Sequence, residues 1–182
     1  VEELAEAQRR TEEQIQKLIK TQQDFEKRLR RVENKLSDID GRTLEARYRE
    51  RATSYFGLLL RRLRVVDPYT LEDELEASLS SEEFYDLLLL DLLLQGRLRR
   101  RPEAPEVWLA VEISAVVDRR DVTRARRRAD LLRKAGYRAI PVVAGQDITR
   151  GAETEAEVQK VAVLQDGQVL LWKEALAVLG IE

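Results

Sequence analysis

Two carboxylates in this sequence occupy positions where a charge is expensive to bury. Asp91 interrupts the leucine run at residues 87–94, and Glu112 lies inside the apolar segment at 107–117. Each acid therefore needs a hydrogen-bond donor, a basic partner or a bound cation. Because the chain contains no histidine and no cysteine, a cation held here has oxygen ligands, which favours Mg²⁺ or Mn²⁺.

Asp91 is predicted to lie on a buried strand. Ser80 and Glu83 form the pattern of a capping box, which begins a helix that we expect to end near Leu88. A buried strand to about Gln95 follows, although one long helix that ends at Gly96 is the alternative. The strand is favoured because leucines occupy every face of the segment.

Glu112 is predicted to lie on the neighbouring strand. The segment 107–117 is apolar on both faces apart from Glu112 and Ser114, which are two residues apart and therefore share a face. If the two strands pair antiparallel through the connection at 96–105, the side chains of Asp91 and Glu112 can converge on one cation.

The rest of the chain predicts alternating helices and strands. Asp118 or Asp121 is expected to cap a helix that ends near Lys134 and is closed by Gly136. The further predicted elements are a strand at 137–143, a helix near 154–160, and a hairpin of strands 161–164 and 168–172 around the turn Asp166-Gly167.

The first 39 residues have the heptad register of a coiled coil. We expect a parallel dimer; a single helix that lies on the domain is the alternative. Gly41 is predicted to divide a coiled-coil helix at 1–41 from a domain at 42–182, whose first helix is expected at 43–64, before a short strand at 65–66. The a and d positions are Val1, Leu4, Gln8, Thr11, Ile15, Leu18, Gln22, Phe25, Leu29, Val32, Leu36 and Ile39.

This order of elements, with Asp91 on one strand and Glu112-Ile113-Ser114 on the next, resembles the PD-(D/E)XK nuclease superfamily, the restriction-endonuclease-like fold. Within it, the chain looks like a branch with a coiled coil in front. The resemblance covers residues 42–172 and implies an α/β fold with a mixed sheet flanked by helices. It also implies that Asp91 and Glu112 bind Mg²⁺ or Mn²⁺, which activates water for hydrolysis of DNA phosphodiester bonds.

The resemblance assigns a catalytic lysine to the position that Ser114 occupies in this chain. Arg124 and Arg128, one helical turn apart, are candidates for the missing cation or are solvated helix charges. Glu45 matches an acidic position on the first helix of some family members, or is a surface glutamate. Gln95 shares a strand face with Asp91 and is either a neighbour of the metal or the end of the strand.

Positive charge is concentrated in the second half of the chain, with thirteen bases against six acids at 97–138. This predicts either a solvated face or a surface for the phosphate backbone of DNA. A catalytically inactive nucleic-acid-binding protein and a coiled-coil adaptor are the alternative functions. No apolar run reaches 18 residues, so we expect a cytoplasmic protein without a membrane partner. The candidate nucleic-acid contacts are Arg97, Arg99, Arg100, Arg119 and Arg120.

Overall fold

The computed structural model describes residues 2–101, 103 and 105–181, with the backbone alone at 2–5, 34, 37, 38, 40 and 41. The chain forms two compact units, at 1–40 and at 41–182. No helix among the described residues is long and apolar enough to cross a lipid bilayer.

The predicted α/β class is confirmed, since a long N-terminal helix precedes a six-stranded mixed sheet with flanking helices. A 3-10 helix at Pro68–Leu71 lies between the first strand and the third helix. The elements are α1 (Glu2–Glu50), α2 (Ala52–Phe56), β1 (Leu60–Val66), α3 (Glu72–Glu76), α4 (Ser81–Leu88), β2 (Leu92–Leu98), β3 (Val107–Val117), α5 (Arg119–Lys134), β4 (Ala139–Ile148), α6 (Arg150–Gln159), β5 (Ala162–Gln165), β6 (Gln168–Leu170) and α7 (Trp172–Ala177).

The N-terminal unit is helical, and the apolar residues of the predicted seam that the structure describes are exposed in the single chain. Val1 lies outside the described residues, as does the side chain of Leu4. The predicted break in the helix at Gly41 is wrong, because α1 continues through it to Glu50, although the two compact units are divided between residues 40 and 41. One glycine costs a helix only about 1 kcal/mol, which the helical residues on both sides of this one can offset. The exposed seam residues are Ile15, Leu18, Phe25, Leu29, Val32, Leu36 and Ile39.

The predicted helix at 43–64 is also wrong, because its last part is strand β1. A β-bulge interrupts the pairing between Arg61 and Arg64, and Arg62 takes a positive φ of 53°. As a result the less exposed positions of β1 are Leu60, Leu63 and Val66, three residues apart. This spacing imitates the periodicity of a helix, whereas a regular strand alternates every two residues.

The sheet has the order β1-β2-β3-β4-β5-β6. Strands β1, β2 and β3 pair antiparallel, β3, β4 and β5 pair parallel, and β6 returns antiparallel to β5. Alternate residues of β3 face opposite cores. Leu109, Val111 and Ile113 pack with the end of α1 and with α2, whereas Trp108 and Ala110 pack in a core that contains residues of α4 and α5.

The two helices that cover the site face have the predicted caps. Ser80 and Glu83 exchange the hydrogen bonds of a capping box at the start of α4, and Asp118 and Asp121 do the same at the start of α5. Strand β3 has the predicted bounds, and the turn at Asp166 and Gly167 joins β5 to β6 as predicted. Strand β4 and helix α6 were predicted too short.

Candidate functional site

Asp91 and Glu112 meet where β2 begins beside β3. Leu92 pairs with Val111, so Asp91, one residue earlier, comes opposite Glu112. The predicted placement of Asp91 within the strand is off by one residue, since β2 begins at Leu92. One oxygen of the Asp91 carboxylate, Oδ2, accepts a hydrogen bond of 2.7 Å from the backbone N–H of Ile113. This bond holds the carboxylate of Asp91 beside β3, at the start of β2.

Glu112 is buried beneath α5 and is paired with arginine on both carboxylate oxygens. Its side chain is 1% exposed. Oε1 accepts a hydrogen bond from Nη1 of Arg128, and Oε2 accepts one of 3.0 Å from Nε of Arg124. Charge-assisted bonds of this kind satisfy the acid, which would otherwise be costly to bury. The two candidate arginines therefore do reach the site.

Arg128 is the more deeply placed of the two arginines, with a side chain 5% exposed. Besides Glu112, it donates through Nη1 to the carbonyl of Leu89 at 3.0 Å and through Nη2 to Asp86 at 3.3 Å. Its Nε is buried without a hydrogen-bond partner among the residues that the structure describes. Arg128 thus ties the floor of the site on β3 to α4.

Arg124 lies nearer to solvent, with a side chain 42% exposed. In addition to Glu112 it contacts Asp121, whose carboxylate also accepts a 2.9 Å bond from the N–H of Asp118. Because its guanidinium is partly hydrated, Arg124 can leave Glu112 at a lower cost in desolvated charge than Arg128 can. The two arginines therefore differ in how readily they can expose the carboxylate.

The negative charges of the two acids repel each other. Burial, and then the nearby charge of Asp91, raises the pKa of Glu112 above its ordinary value, against the lowering effect of Arg128 and Arg124. Burial also raises the pKa of Asp91, the Ile113 hydrogen bond opposes this rise, and Glu45 adds to it. An acid whose charge raises the pKa of its neighbour in this way lies close enough to it for both to share one positive partner.

Two contributors to the site from α1 could not be fully assigned from sequence. Glu45 lies close enough to Asp91 to raise the pKa of that acid, so it adds negative charge to the site. Arg49 was not singled out at all, yet its Nη2 donates to the backbone carbonyl of Asp91 at 2.6 Å. It also lies 3.7 Å from Glu45 as an i,i+4 pair, and this pairing is the one sequence signal that could have drawn attention to it.

Asp86 of α4 is a further residue that sequence reasoning missed. Its carboxylate accepts bonds of 3.0 and 2.5 Å from Arg127, in addition to the bond from Arg128. Asp86 is one of nine acids in the segment 67–91, which contains no base, so nothing in the sequence distinguishes it from the others. Asp86 completes an alternating network of acid and arginine across α4, α5 and β3.

Ser114 contributes only a neutral hydroxyl at the position where the resemblance implies a lysine. Its hydroxyl, which shares the strand face of Glu112, donates to the carbonyl of Val116 at 3.0 Å. Gln95 does not approach Asp91 either, because its amide bonds to Arg64 and Glu106, each at 2.8 Å. Gln95 lies in the middle of β2, where its side chain is bound to residues other than Asp91, so neither the position beside a metal ion nor the end of the strand is observed for it.

The candidate nucleic-acid contacts fall into two groups. Arg119 and Arg120 are exposed at the start of α5, close in the chain to Asp121 and Arg124. Arg97, Arg99 and Arg100 lie at or beyond the far end of β2, where Arg97 is six residues, about 20 Å, from Asp91. Arg99 is bound locally, since its Nε donates to the carbonyl of Gly57 at 2.6 Å. Arg97, Arg99 and Arg100 therefore do not form one surface with Asp91 and Glu112.

The donor chemistry of Asp91 and Glu112 fits Mg²⁺ or Mn²⁺, which prefer oxygen ligands. In the present arrangement both oxygens of Glu112 are bound to arginine, and no group of three or more acids among the described residues is disposed to hold a metal ion. Access of a cation to Glu112 therefore requires one arginine, Arg124 at the lower cost, to leave.

Comparisons of the chain with protein-family models, with curated proteins and with solved structures give no match.

Proposed function

We propose that this protein is a metal-dependent nuclease that hydrolyses DNA phosphodiester bonds at Asp91 and Glu112. The observation that supports this function is the convergence of the two acids from neighbouring strands, on the sheet face beneath α5. Burial raises the pKa of both acids, and the charge of Asp91 raises that of Glu112 further. Acids with perturbed pKa values are concentrated at functional sites. The fold class and the order of elements agree with the PD-(D/E)XK resemblance.

Each residue of the site has a distinct part in this proposal. Asp91 and Glu112 would hold a divalent cation, which would supply a bound water of lowered pKa and positive charge beside the phosphate. The Ile113 N–H holds the Asp91 carboxylate in place, and Arg128 holds Oε1 of Glu112. Arg124 supplies the cation that a lysine at position 114 would supply, and its exposed guanidinium pairs with the phosphate once it has left Oε2. An arginine does not act as the base, because it stays protonated.

Nicking of supercoiled plasmid DNA with Mn²⁺ or Mg²⁺ tests the proposed activity. We expect the wild-type protein to nick the plasmid, EDTA to stop the reaction, and Glu112→Gln to abolish it, because glutamine cannot hold the cation as a carboxylate does. Asp147→Asn is the matched control, since it removes an exposed carboxylate of β4 in the same sheet. Equal nicking by wild type and Glu112→Gln would show that the acids do not carry the activity.

The second candidate function is nucleic-acid binding without catalysis. It is favoured by the pairing of both Glu112 oxygens with arginine, which satisfies the buried acid without any metal ion. A salt-dependent gel shift without cleavage supports this candidate. Absence of a shift at low salt contradicts both functions and leaves a coiled-coil adaptor.

We further propose that residues 1–40 form a parallel dimeric coiled coil. The exposed apolar stripe of α1, including Ile15, Leu18 and Leu29, has the spacing that such a seam needs. Two linked domains raise the effective concentration for a second contact on the same DNA molecule. Self-association therefore serves the proposed nuclease directly.

Deletion of residues 1–40 is expected to yield a folded monomer by sedimentation equilibrium, whereas the full chain sediments as a dimer. The domain should stay folded because its buried residues Leu44 and Tyr48 are retained. Circular dichroism of the truncated chain is the control for folding. A truncated protein that still dimerises would locate the interface elsewhere and contradict the coiled coil.

A further inference from the structure

The first two strands of the sheet carry an excess of positive charge away from the two acids. The ranges 57–66 and 92–101 contain seven arginines and no acid. Arg99 is engaged with backbone carbonyls of the preceding segment. The other six define the β1–β2 arginine patch: Arg61, Arg62, Arg64, Arg97, Arg100 and Arg101.

Two arginines of this patch are direct cross-strand neighbours. Arg61 of β1 pairs in register with Arg97 of β2, and both are exposed. Like charges directly opposite each other in an antiparallel pair destabilise the sheet. Among the residues that the structure describes, neither arginine forms an ion pair, and the neighbouring acid Glu106 lies 4.0 Å from Arg64 instead. A bound external anion would offset this repulsion.

The backbone around the pair is held in an irregular conformation. Arg62 lies in the left-handed region, at φ 53°, inside the bulge of β1. Such conformations cost about 1–3 kcal/mol and cluster at ligand-binding sites. Opposite the bulge, a Cβ on Gly96 would lie 3.0 Å from the carbonyl oxygen of Arg61. The two strands therefore approach closely where their arginines are concentrated.

Arg64, a member of the patch, and Arg99, which lies beside it, are both held by contacts within the protein. Nη2 of Arg64 donates to Gln95 at 2.8 Å and lies 4.0 Å from Glu106. Arg99 connects the turn after β2 to the segment before β1, through Gly57. These contacts give Arg64 a preferred orientation and brace the strand ends, while Arg61 and Arg97 keep their guanidinium groups for a ligand.

Protection of the sheet edge is the competing explanation. Charges and bulges on an edge strand prevent pairing with other chains, and β1 is an edge strand. Protection accounts for Arg61 and Arg64, but it does not require a second arginine opposite the first on the inner strand β2. The opposed pair therefore favours a bound polyanion over edge protection alone.

We propose that the β1–β2 arginine patch is a second nucleic-acid contact that binds backbone phosphates about 20 Å from Asp91. Guanidinium groups match phosphate oxygens in charge and in bidentate geometry. The choice of nucleic acid as the polyanion rests on the proposed function, whereas the site itself rests on the opposed arginines. The patch holds DNA at a distance from the acids and takes no part in chemistry.

Fluorescence anisotropy of a labelled DNA duplex tests the patch with the full-length protein in EDTA, across a salt series. The double variant Arg61→Gln/Arg97→Gln should reduce the slope of log K against log salt by about 1.8, since each phosphate contact contributes about 0.9. Arg150→Gln/Lys173→Gln is the control with the same change of charge, at exposed bases of α6 and α7. A slope equal to that of the control overturns the proposal.

Two further readouts separate the explanations. The melting temperature of Arg61→Gln/Arg97→Gln should stay level or rise, because a like-charge pair is removed; a fall that matches the loss of binding would make the effect structural and overturn the proposal. Loss of binding to phosphatidylserine vesicles, with DNA binding retained, would assign the patch to a membrane surface instead. A patch-dependent slope without plasmid nicking overturns the proposed nuclease alone, and nicking with an unchanged slope overturns the patch alone.

Discussion

Replacement of Arg128 by methionine is expected to lower the free energy of unfolding by about 3–5 kcal/mol, the usual cost of breaking a buried ion pair by removing one partner. The variant leaves Glu112 buried at 1% exposure with only Arg124 as its basic partner. It also removes the donor to the Leu89 carbonyl. Urea unfolding followed by circular dichroism gives the difference.

Arg127→Met is the matched control for this prediction. Arg127 is the neighbouring arginine of α5, but its side chain is 60% exposed and pairs with Asp86 at the surface. Its replacement should cost no more than about 1 kcal/mol. The double variant Arg128→Met/Glu112→Gln should recover part of the loss, because the buried charge is removed together with its partner. Equal effects of Arg127→Met and Arg128→Met would contradict the assigned role of Arg128.

Replacement of Arg124 by glutamine is expected to change cation binding and DNA cleavage in opposite directions. Because Arg124 occupies Oε2 of Glu112, its loss should raise the affinity for Mn²⁺ by about tenfold, or about 1.4 kcal/mol. Cleavage should fall by about 10²–10³-fold, as when a group that stabilises transition-state charge is lost. Calorimetric titration and plasmid nicking measure the two effects separately.

The opposite signs distinguish a substrate-binding arginine from a structural one. A structural arginine would lower both quantities together, through a disordered Glu112. Arg127→Gln serves as the control because it removes an exposed guanidinium from the same helix without touching Glu112. Loss of Mn²⁺ affinity in Arg124→Gln would mean that this arginine supports the acid pair, and would remove it from the proposed mechanism.

Local signals made the central part of the fold predictable from sequence. The bounds of β3 follow from a segment that is apolar apart from Glu112 and Ser114. The start of α4 follows from the capping box of Ser80 and Glu83, and the start of α5 from an aspartate at its N-cap. The opposition of Asp91 and Glu112 follows from two strands joined by a short connection. These features depend on neighbours in the chain, which the sequence displays directly.

Other features depend on contacts between distant residues. The bulge at Arg62 gave β1 a helical spacing of buried positions, and only pairing with β2 shows it to be a strand. Arg49 reaches the carbonyl of Asp91 from 42 residues away. Its role depends on how the end of α1 meets the sheet, which no periodicity in the sequence specifies.

The partners of Glu112 could be predicted only in part. The spacing of Arg124 and Arg128 placed them on one helix face, and the structure brings both of them to the acid. Whether they reach a phosphate or the glutamate depends on the separation between α5 and β3. That distance is determined by the packing of Val122, Ala125 and Ala129, small and branched residues that let the helix approach the sheet.

A crystal soaked in Mn²⁺, with anomalous diffraction recorded, tests the central claim most directly. We predict an anomalous peak bound by the carboxylates of Asp91 and Glu112, with Arg124 displaced from Oε2 and Arg128 still in place. An empty position between the two acids, with both arginines still bound to Glu112 at a saturating Mn²⁺ concentration, would contradict metal-dependent catalysis.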